Sequence, residues 1–103
     1  MNQIIYVGKH LLTYSVTTHA HSSWELIYCT SGGGRMVFGT EEIPYQSGDL
    51  LIIPPIITHR NESEYGFTNI HLNMLEPHVM LTSPKLIREE GTSFLLEAFS
   101  AAF

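Results

Sequence analysis

The chain has 103 residues, of which 44% are hydrophobic and 15% charged, with a formal net charge of −5 at pH 7; this is the composition of one folded domain and excludes intrinsic disorder. Five lysines and arginines without a cluster leave no electrostatic footprint for nucleic acid, and no apolar run approaches the roughly 20 residues of a membrane span. Cys29 is the single cysteine, which fits a reducing compartment, so we expect a cytoplasmic protein without a membrane partner.

Most of the chain, from residue 3 to about 75, predicts short strands separated by glycine, proline, serine and asparagine, as in an antiparallel sandwich or barrel. The third predicted strand is apolar on both faces, which favours burial on both sides. Gly32-Gly33-Gly34 predicts a hairpin connection, because glycine adopts positive φ at little steric cost. The strands are predicted at residues 3–8, 11–17, 24–30, 35–39, 41–45, 50–53 and 67–74.

After Pro77 the pattern becomes helical. Ser83-Pro84 predicts a helix start, with serine as N-cap and proline in the first turn, and Thr92-Ser93 predicts a second start before residues 94–103. The second helix would be apolar nearly all round, so we expect it to form homodimer contacts. The sequence thus predicts a barrel at residues 1–82 and a helical dimerisation or linker segment at residues 83–103, and its apolar end suggests a fragment of a longer protein.

Two histidines and a carboxylate recur at odd positions in one short segment, as His19, His21 and Glu25. If this segment is extended, the three side chains project from one face. A further histidine, His59, follows the apolar run 50–53 and the pair Pro54-Pro55. Three imidazoles and one carboxylate meeting inside a barrel would suit a first-row transition metal with open positions, and equally a polar pocket for a small ligand.

The spacing of these residues carries a resemblance to a known family. His19-x-His21-x3-Glu25-x6-Gly32 resembles the first conserved motif of the cupin superfamily, and Gly48-x5-Pro54-x4-His59 resembles the second. Together with residues 45–55, the sequence is most similar to the N-terminal effector-binding and dimerisation domain of AraC-type transcription regulators, over about residues 4–75. The positions that depart from the general cupin pattern are Thr13 and Ile56, where glycine is usual, and Ser63, where asparagine is usual.

The resemblance implies an all-β cupin double-stranded β-helix, a small jelly-roll barrel, followed by a C-terminal helical segment. It implies a non-catalytic domain that binds a small effector and controls a helix-turn-helix domain, so that DNA is a partner only through a domain absent from this chain. The alternative is a stand-alone metal-dependent cupin enzyme, a dioxygenase or isomerase, holding Fe, Mn, Ni or Zn.

The candidate ligand-binding residues are His19, His21, Glu25, His59, Asn69 and His71. The first four are also the candidate metal ligands. Asn69 and His71 face the same way on the strand that lines the effector pocket of AraC-type sensors. A neutral polyol or sugar is the effector class we expect first, because Asn, His, Thr and Ser suit hydroxyl groups. Cys29 is expected to be a small buried thiol, and His10 and His78 ordinary loop residues.

Overall fold

The computed structural model describes residues 4–20, 22–74 and 83–88, and for residues 4–7, 19 and 74 it describes the backbone alone. Within these ranges the chain consists of antiparallel strands and turns, so the predicted all-β class is confirmed. Nowhere in these ranges does a helix long and apolar enough to cross a membrane occur. The strands are β1 (Ile4–His19), β2 (Trp24–Phe38), β3 (Glu41–Gln46), β4 (Asp49–Ile53), β5 (His59–Met74) and β6 (Lys85–Arg88).

All six strands belong to one sheet, in the order β1-β5-β2-β4-β6, with β3 also paired to β2. The long strands β2 and β5 form its centre, with Trp24 opposite Met74 at one end and Val37 opposite Arg60 at the other. The second edge of β2 pairs with β4 and then with β3, while β1 pairs with the second edge of β5. This topology makes the end of β1 a neighbour of the start of β5.

Two pairs of predicted strands are each a single strand in the structure, and one predicted strand begins earlier. The predicted strands 3–8 and 11–17 are one strand, β1, and 24–30 and 35–39 are one strand, β2. The predicted hairpin at Gly32-Gly33-Gly34 is therefore wrong, since these glycines lie inside β2. The hairpin is instead the two-residue loop Gly39-Thr40 between β2 and β3, where Gly39 has φ 63°. The last long strand begins at His59, eight residues before its predicted start at 67.

The three consecutive glycines are needed because neighbouring strands approach β2 very closely. A Cβ atom on Gly32 would lie 2.1 Å from the carbonyl oxygen of Gly66, and one on Gly34 would lie 2.4 Å from that of Glu62. The register between β2 and β5 shifts between Gly32 and Arg35, which is the signature of a bulge that bends the strands. Glycine here serves close backbone approach within a bent strand, not a turn.

The centre of the sheet is buried on both faces. Tyr28 and Cys29 are consecutive residues of β2 and are both buried, as expected for a strand apolar on both sides. Tyr28 packs with residues of β4 and β5 on one face, and Cys29 packs with Tyr45 and Phe67 on the other. The Cys29 thiol donates to the carbonyl oxygen of Ser31 at 3.2 Å, and burial raises its pKa to about 11, so it is a buried thiol as predicted.

The prediction of a helix start at Ser83-Pro84 is wrong, because the residues that follow form β6. Arg88 lies opposite Asp49 in the pairing of β6 with β4, and its guanidinium donates two hydrogen bonds of 2.9 Å to the buried Asp49 carboxylate. Leu86 packs against the core. These tertiary contacts override the local capping signal. The predicted helix at 94–103, with its dimer contacts, lies outside the described residues.

Replacing Arg88 with methionine should lower the free energy of unfolding by about 1 kcal/mol at pH 7, because half of the side chain is exposed and solvent screens the pair. The Arg88 hydrogen bonds hold the pKa of Asp49 below its ordinary range. Such a carboxyl stabilises the fold above its unfolded-state pKa, and the contribution is lost as the pH falls through the folded-state pKa. The difference between the two proteins should therefore shrink below about pH 4.

Urea unfolding of both proteins from pH 7 to pH 3 measures this. Lys85→Met, on the exposed side of the same strand, is the control and should change little at any pH. An Arg88→Met effect that stays constant across the series would contradict the ion-pair account.

Ile56 is the non-glycine residue with positive φ in the described chain, at 66°, and it stands where the cupin motif usually has glycine. A β-branched residue is strained in this conformation. Its side chain is 78% exposed, so little burial offsets the strain. Ile56→Gly should raise the free energy of unfolding by about 1 kcal/mol, since roughly 1–2 kcal/mol of relief exceeds the entropy that glycine loses on folding.

Thermal or urea unfolding measures the Ile56→Gly effect. Thr58→Gly is the matched control, because Thr58 lies in the same exposed loop without a positive φ and should instead be destabilised. Equal losses of stability in both variants would show that Ile56 is not strained.

Candidate functional site

A small cavity lies between β1, β2 and β5, on the face of the sheet that carries Cys29 and Phe67. The centre of a water molecule can occupy about 30 Å³ of it. One water molecule needs roughly 10–15 Å³ by this measure, so the cavity has room for about two. Its apolar lining is Val16, Ile27 and Met36, and its polar lining is His10, Glu25, His59, Asn61, Asn69 and His71.

Four of the six predicted ligand-binding residues therefore line one cavity: Glu25, His59, Asn69 and His71. The alternation of β2 places Glu25 on the same side as Ile27, and that of β5 places Asn69 and His71 together. His59 is the first residue of β5, placed after the two prolines that follow β4. The structure thus brings Glu25 of the first motif and His59 of the second together in one cavity.

Glu25 and His59 contact each other directly. Nε2 of His59 lies 3.1 Å from Oε1 of Glu25, and the two residues are 1% and 6% exposed respectively. Nδ1 of His59 lies 2.8 Å from the carbonyl oxygen of Ile57, which can only accept, so Nδ1 is the donor in that bond. Nε2 then faces a carboxylate oxygen. This pair of atoms requires either a proton on one of them or a cation between them.

The same arrangement fits part of a metal site. A hydrogen bond from Nδ1 to a backbone carbonyl is what orients a metal-binding imidazole, and a carboxylate is a suitable second ligand. The α-carbon of His19 lies opposite that of His59 in the register of β1 and β5. The side chain of His19 and all of His21 lie outside the described residues. In the described ranges no three His, Cys, Asp or Glu residues form a group that could hold a metal. Of the four predicted metal ligands, the described side chains bring together Glu25 and His59.

His10 is a cavity residue that the sequence prediction placed in a loop, and that prediction is wrong. It lies in β1, its Nδ1 is 3.1 Å from Oδ1 of Asn69, and its ring stacks on His71 with centroids 4.8 Å apart. The two predicted strands at 3–8 and 11–17 left it in the gap between them. The available signal was that no glycine, proline or asparagine interrupts the chain from Lys9 to His19.

Asn61 is a second lining residue that the prediction missed. Its Oδ1 accepts a hydrogen bond of 2.6 Å from the hydroxyl of Tyr45, and both side chains are buried. Burial raises the pKa of Tyr45, which keeps the hydroxyl protonated as a donor. Asn61 follows His59 by two positions on β5, so alternation would have found it had β5 been predicted to start at His59.

Comparisons with known proteins agree with this architecture. A family model described as "Cupin domain" matches residues 13–66, just over half of the chain. No curated protein matches the sequence. A cupin-2 domain containing protein from Shewanella frigidimarina is 17% identical with a TM-score of 0.56, and the match covers 76% of this chain and 80% of that one.

Two longer proteins contain a similar fold. YhaK from Escherichia coli is 9% identical with a TM-score of 0.72, and the match covers 89% of this chain and 45% of YhaK. ToxT K231A from Vibrio cholerae, in its apo form, is 11% identical with a TM-score of 0.65, and the match covers 94% of this chain and 46% of ToxT. At these identities the likeness shows the fold alone.

Proposed function

The chain belongs to the cupin domain family, and from that premise we propose that it is the effector-sensing domain of an AraC-type transcription regulator, binding a small polar ligand in the cavity between β1, β2 and β5. The observation that carries the proposal is the set of six polar side chains that line this cavity. A concave space with convergent polar groups is the usual form of a small-ligand site. The sequence of residues 45–55, which resembles that of AraC-type regulators, supports the regulator assignment.

The size of the cavity narrows the effector. Pockets for drug-sized ligands measure roughly 300–1,000 Å³. The cavity here measures about 30 Å³, so a monosaccharide would enter only if lining side chains moved. We therefore place small ligands, or the small polar end of a longer ligand, ahead of sugars as the effector.

The proposed mechanism is a population shift. An effector that binds one arrangement of the whole regulator more tightly than another changes the balance between them, and with it the affinity for DNA. Homodimer formation and DNA binding belong in this proposal to segments beyond the described residues. That YhaK and ToxT carry the same fold in less than half of their length is compatible with such a longer protein.

Calorimetric titration with small carboxylic acids, aromatic acids and monosaccharides tests the ligand site. We expect one class to bind saturably, and Glu25→Gln and His59→Gln to weaken it at least tenfold. Asn73→Asp, a buried site outside the cavity lining, should retain the affinity. No binding by any class, or binding that ignores both cavity substitutions, would refute the proposed site. A parent reading frame without a helix-turn-helix segment would refute the regulator assignment.

A metal-dependent cupin enzyme is the second candidate, favoured by one observation, the facing of His59 Nε2 and the Glu25 carboxylate. A bound metal would supply Lewis-acid or redox chemistry at this position. Near-stoichiometric iron or manganese in protein purified without chelator would favour the enzyme over the sensor. Metal affinity should then fall on acidification, because the ligating imidazoles must be neutral.

A further inference from the structure

We propose that the ligand of this cavity presents a carboxylate, held by the side-chain amide N–H groups of Asn61 and Asn69. The inference rests on the proposed ligand site and goes beyond it by naming the chemical class of the group bound. It follows from how each asparagine is held in place.

The amide of Asn61 is oriented by Tyr45. Asn61 is 3% exposed, and its Oδ1 accepts the hydrogen bond from the Tyr45 hydroxyl at 2.6 Å. The Tyr45 ring is itself fixed against Phe67 in an edge-to-face contact, with centroids 6.0 Å apart. Because the oxygen is taken up by tyrosine, the NH2 group of Asn61 points away from Tyr45, and Asn61 lines the cavity.

The amide of Asn69 is oriented in the same way by His10. Asn69 is 4% exposed, and its Oδ1 lies 3.1 Å from Nδ1 of His10, which must donate because the oxygen cannot. The His10 ring is held by stacking on His71 and by an edge contact with Phe67 at 6.2 Å between centroids. His10 and Tyr45 are thus positioning residues, each fixing the oxygen of one asparagine.

The NH2 groups of Asn61 and Asn69 are available to a ligand in the cavity. Across residues 4–20, 22–74 and 83–88 the side-chain hydrogen bonds of these two asparagines are those from Tyr45 and His10, and in both the side-chain oxygen accepts. Asn61 and Asn69 lie on one strand, on either side of Gly66, where φ is 97°, and both line the same cavity. N–H donors that face a cavity favour a partner that accepts hydrogen bonds.

A carboxylate fits the hydrogen-bond donors and the size of the cavity. It only accepts hydrogen bonds, whereas an amide N–H cannot bind a metal cation. The one carboxylate in the described lining, Glu25, is already paired with His59, and the other titratable groups of the lining are the imidazoles of His10 and His71. Space for about two water molecules admits formate, or the carboxylate end of a longer molecule.

The experiment is a titration of the whole chain with sodium formate, followed through the side-chain amide signals of asparagine in ¹H–¹⁵N NMR spectra. Sodium chloride keeps the ionic strength constant, and glycerol is the neutral hydroxyl probe. We expect formate to move the signals of Asn61 and Asn69 along saturable curves, with little movement in glycerol. No saturable movement in formate, or equal movement in glycerol, would overturn the carboxylate inference.

Substitutions of matched size locate the effect. Asn61→Asp and Asn69→Asp replace the NH2 donor by an oxygen acceptor, and each should weaken formate binding at least tenfold. Asn73→Asp is the control, because Asn73 is also buried but donates to Ser23 and is not among the residues that line the cavity. Tyr45→Phe should weaken binding and move the Asn61 signals while the Asn69 signals stay. If a variant fails to fold, the titration of the unaltered chain still decides.

The outcomes also separate this inference from the function on which it rests. A monosaccharide could bind saturably, lose its binding in His59→Gln, and leave formate without any response. That result would support the proposed ligand site and refute the carboxylate inference. If formate binding were unaffected by Asn61→Asp and Asn69→Asp, neither asparagine amide would be part of the formate site.

Discussion

Replacing Gly32 with alanine should lower the free energy of unfolding by about 2–5 kcal/mol, adding about 1–2 for a side chain at positive φ to about 1–3 for overpacking. Gly32 has φ 73°, and the new Cβ would lie 2.1 Å from the carbonyl oxygen of Gly66. That oxygen belongs to the backbone and cannot rotate away. Relief requires β2 and β5 to separate, and these are the two central strands of the sheet.

Gly39→Ala is the matched control for this prediction. Gly39 also has positive φ, 63°, but a Cβ there would meet no atom within 4 Å. It should therefore cost about 1–2 kcal/mol, the conformational part alone. Urea unfolding of the three proteins gives both values. Equal losses at Gly32 and Gly39 would show that close approach of the strands does not explain the three consecutive glycines.

Replacing Glu25 with alanine should lower the free energy of unfolding by about 3 kcal/mol, because it leaves the buried His59 ring without its carboxylate partner. His59→Ala should cost a similar amount, through the lost contact and the cavity that remains. In the double variant the free energy of unfolding should fall by about 1–3 kcal/mol less than the sum of the two single losses. The reason is that the contact between Glu25 and His59 can be lost only once.

A second double-mutant cycle, which combines Glu25→Ala with Arg35→Ala, is the control. Arg35 is exposed and forms ion pairs with Glu42 and Glu62, so it shares no partner with Glu25. Its effect should add to that of Glu25→Ala within about 0.5 kcal/mol. Additive effects in the Glu25 and His59 cycle would mean that the two side chains do not interact in solution.

The fold class was predictable from the sequence, but the continuity of the strands was not. Alternation and turn residues found the β regions and the double-sided burial of the strand with Tyr28 and Cys29. Gly32-Gly33-Gly34 was misread because a turn and a close approach of strands both require glycine, and only the partners across the sheet distinguish them. Ser83-Pro84 was misread because the contacts that create β6 come from Asp49 and the core.

The part of the site that could be predicted is the part that motif spacing and strand alternation indicate. The motif spacing brought out Glu25 and His59, and alternation brought out Asn69 and His71, all of which line the cavity. His10 has no motif of its own, and its role comes from contacts with residues far along the chain. The predictions for the His19 and His21 side chains, for the helix at 94–103 and for dimerisation remain predictions.

Glu25 and the buried ring of His59 share one cavity, with the ring held by the Ile57 carbonyl at Nδ1 and facing the Glu25 carboxylate at Nε2. Long-range ¹H–¹⁵N NMR of the His59 ring in the unaltered chain and in Glu25→Gln tests this directly. We expect a protonated Nδ1 in both proteins and an Nε2 resonance that moves when the carboxylate is removed. An Nε2 resonance identical in the two proteins would contradict it.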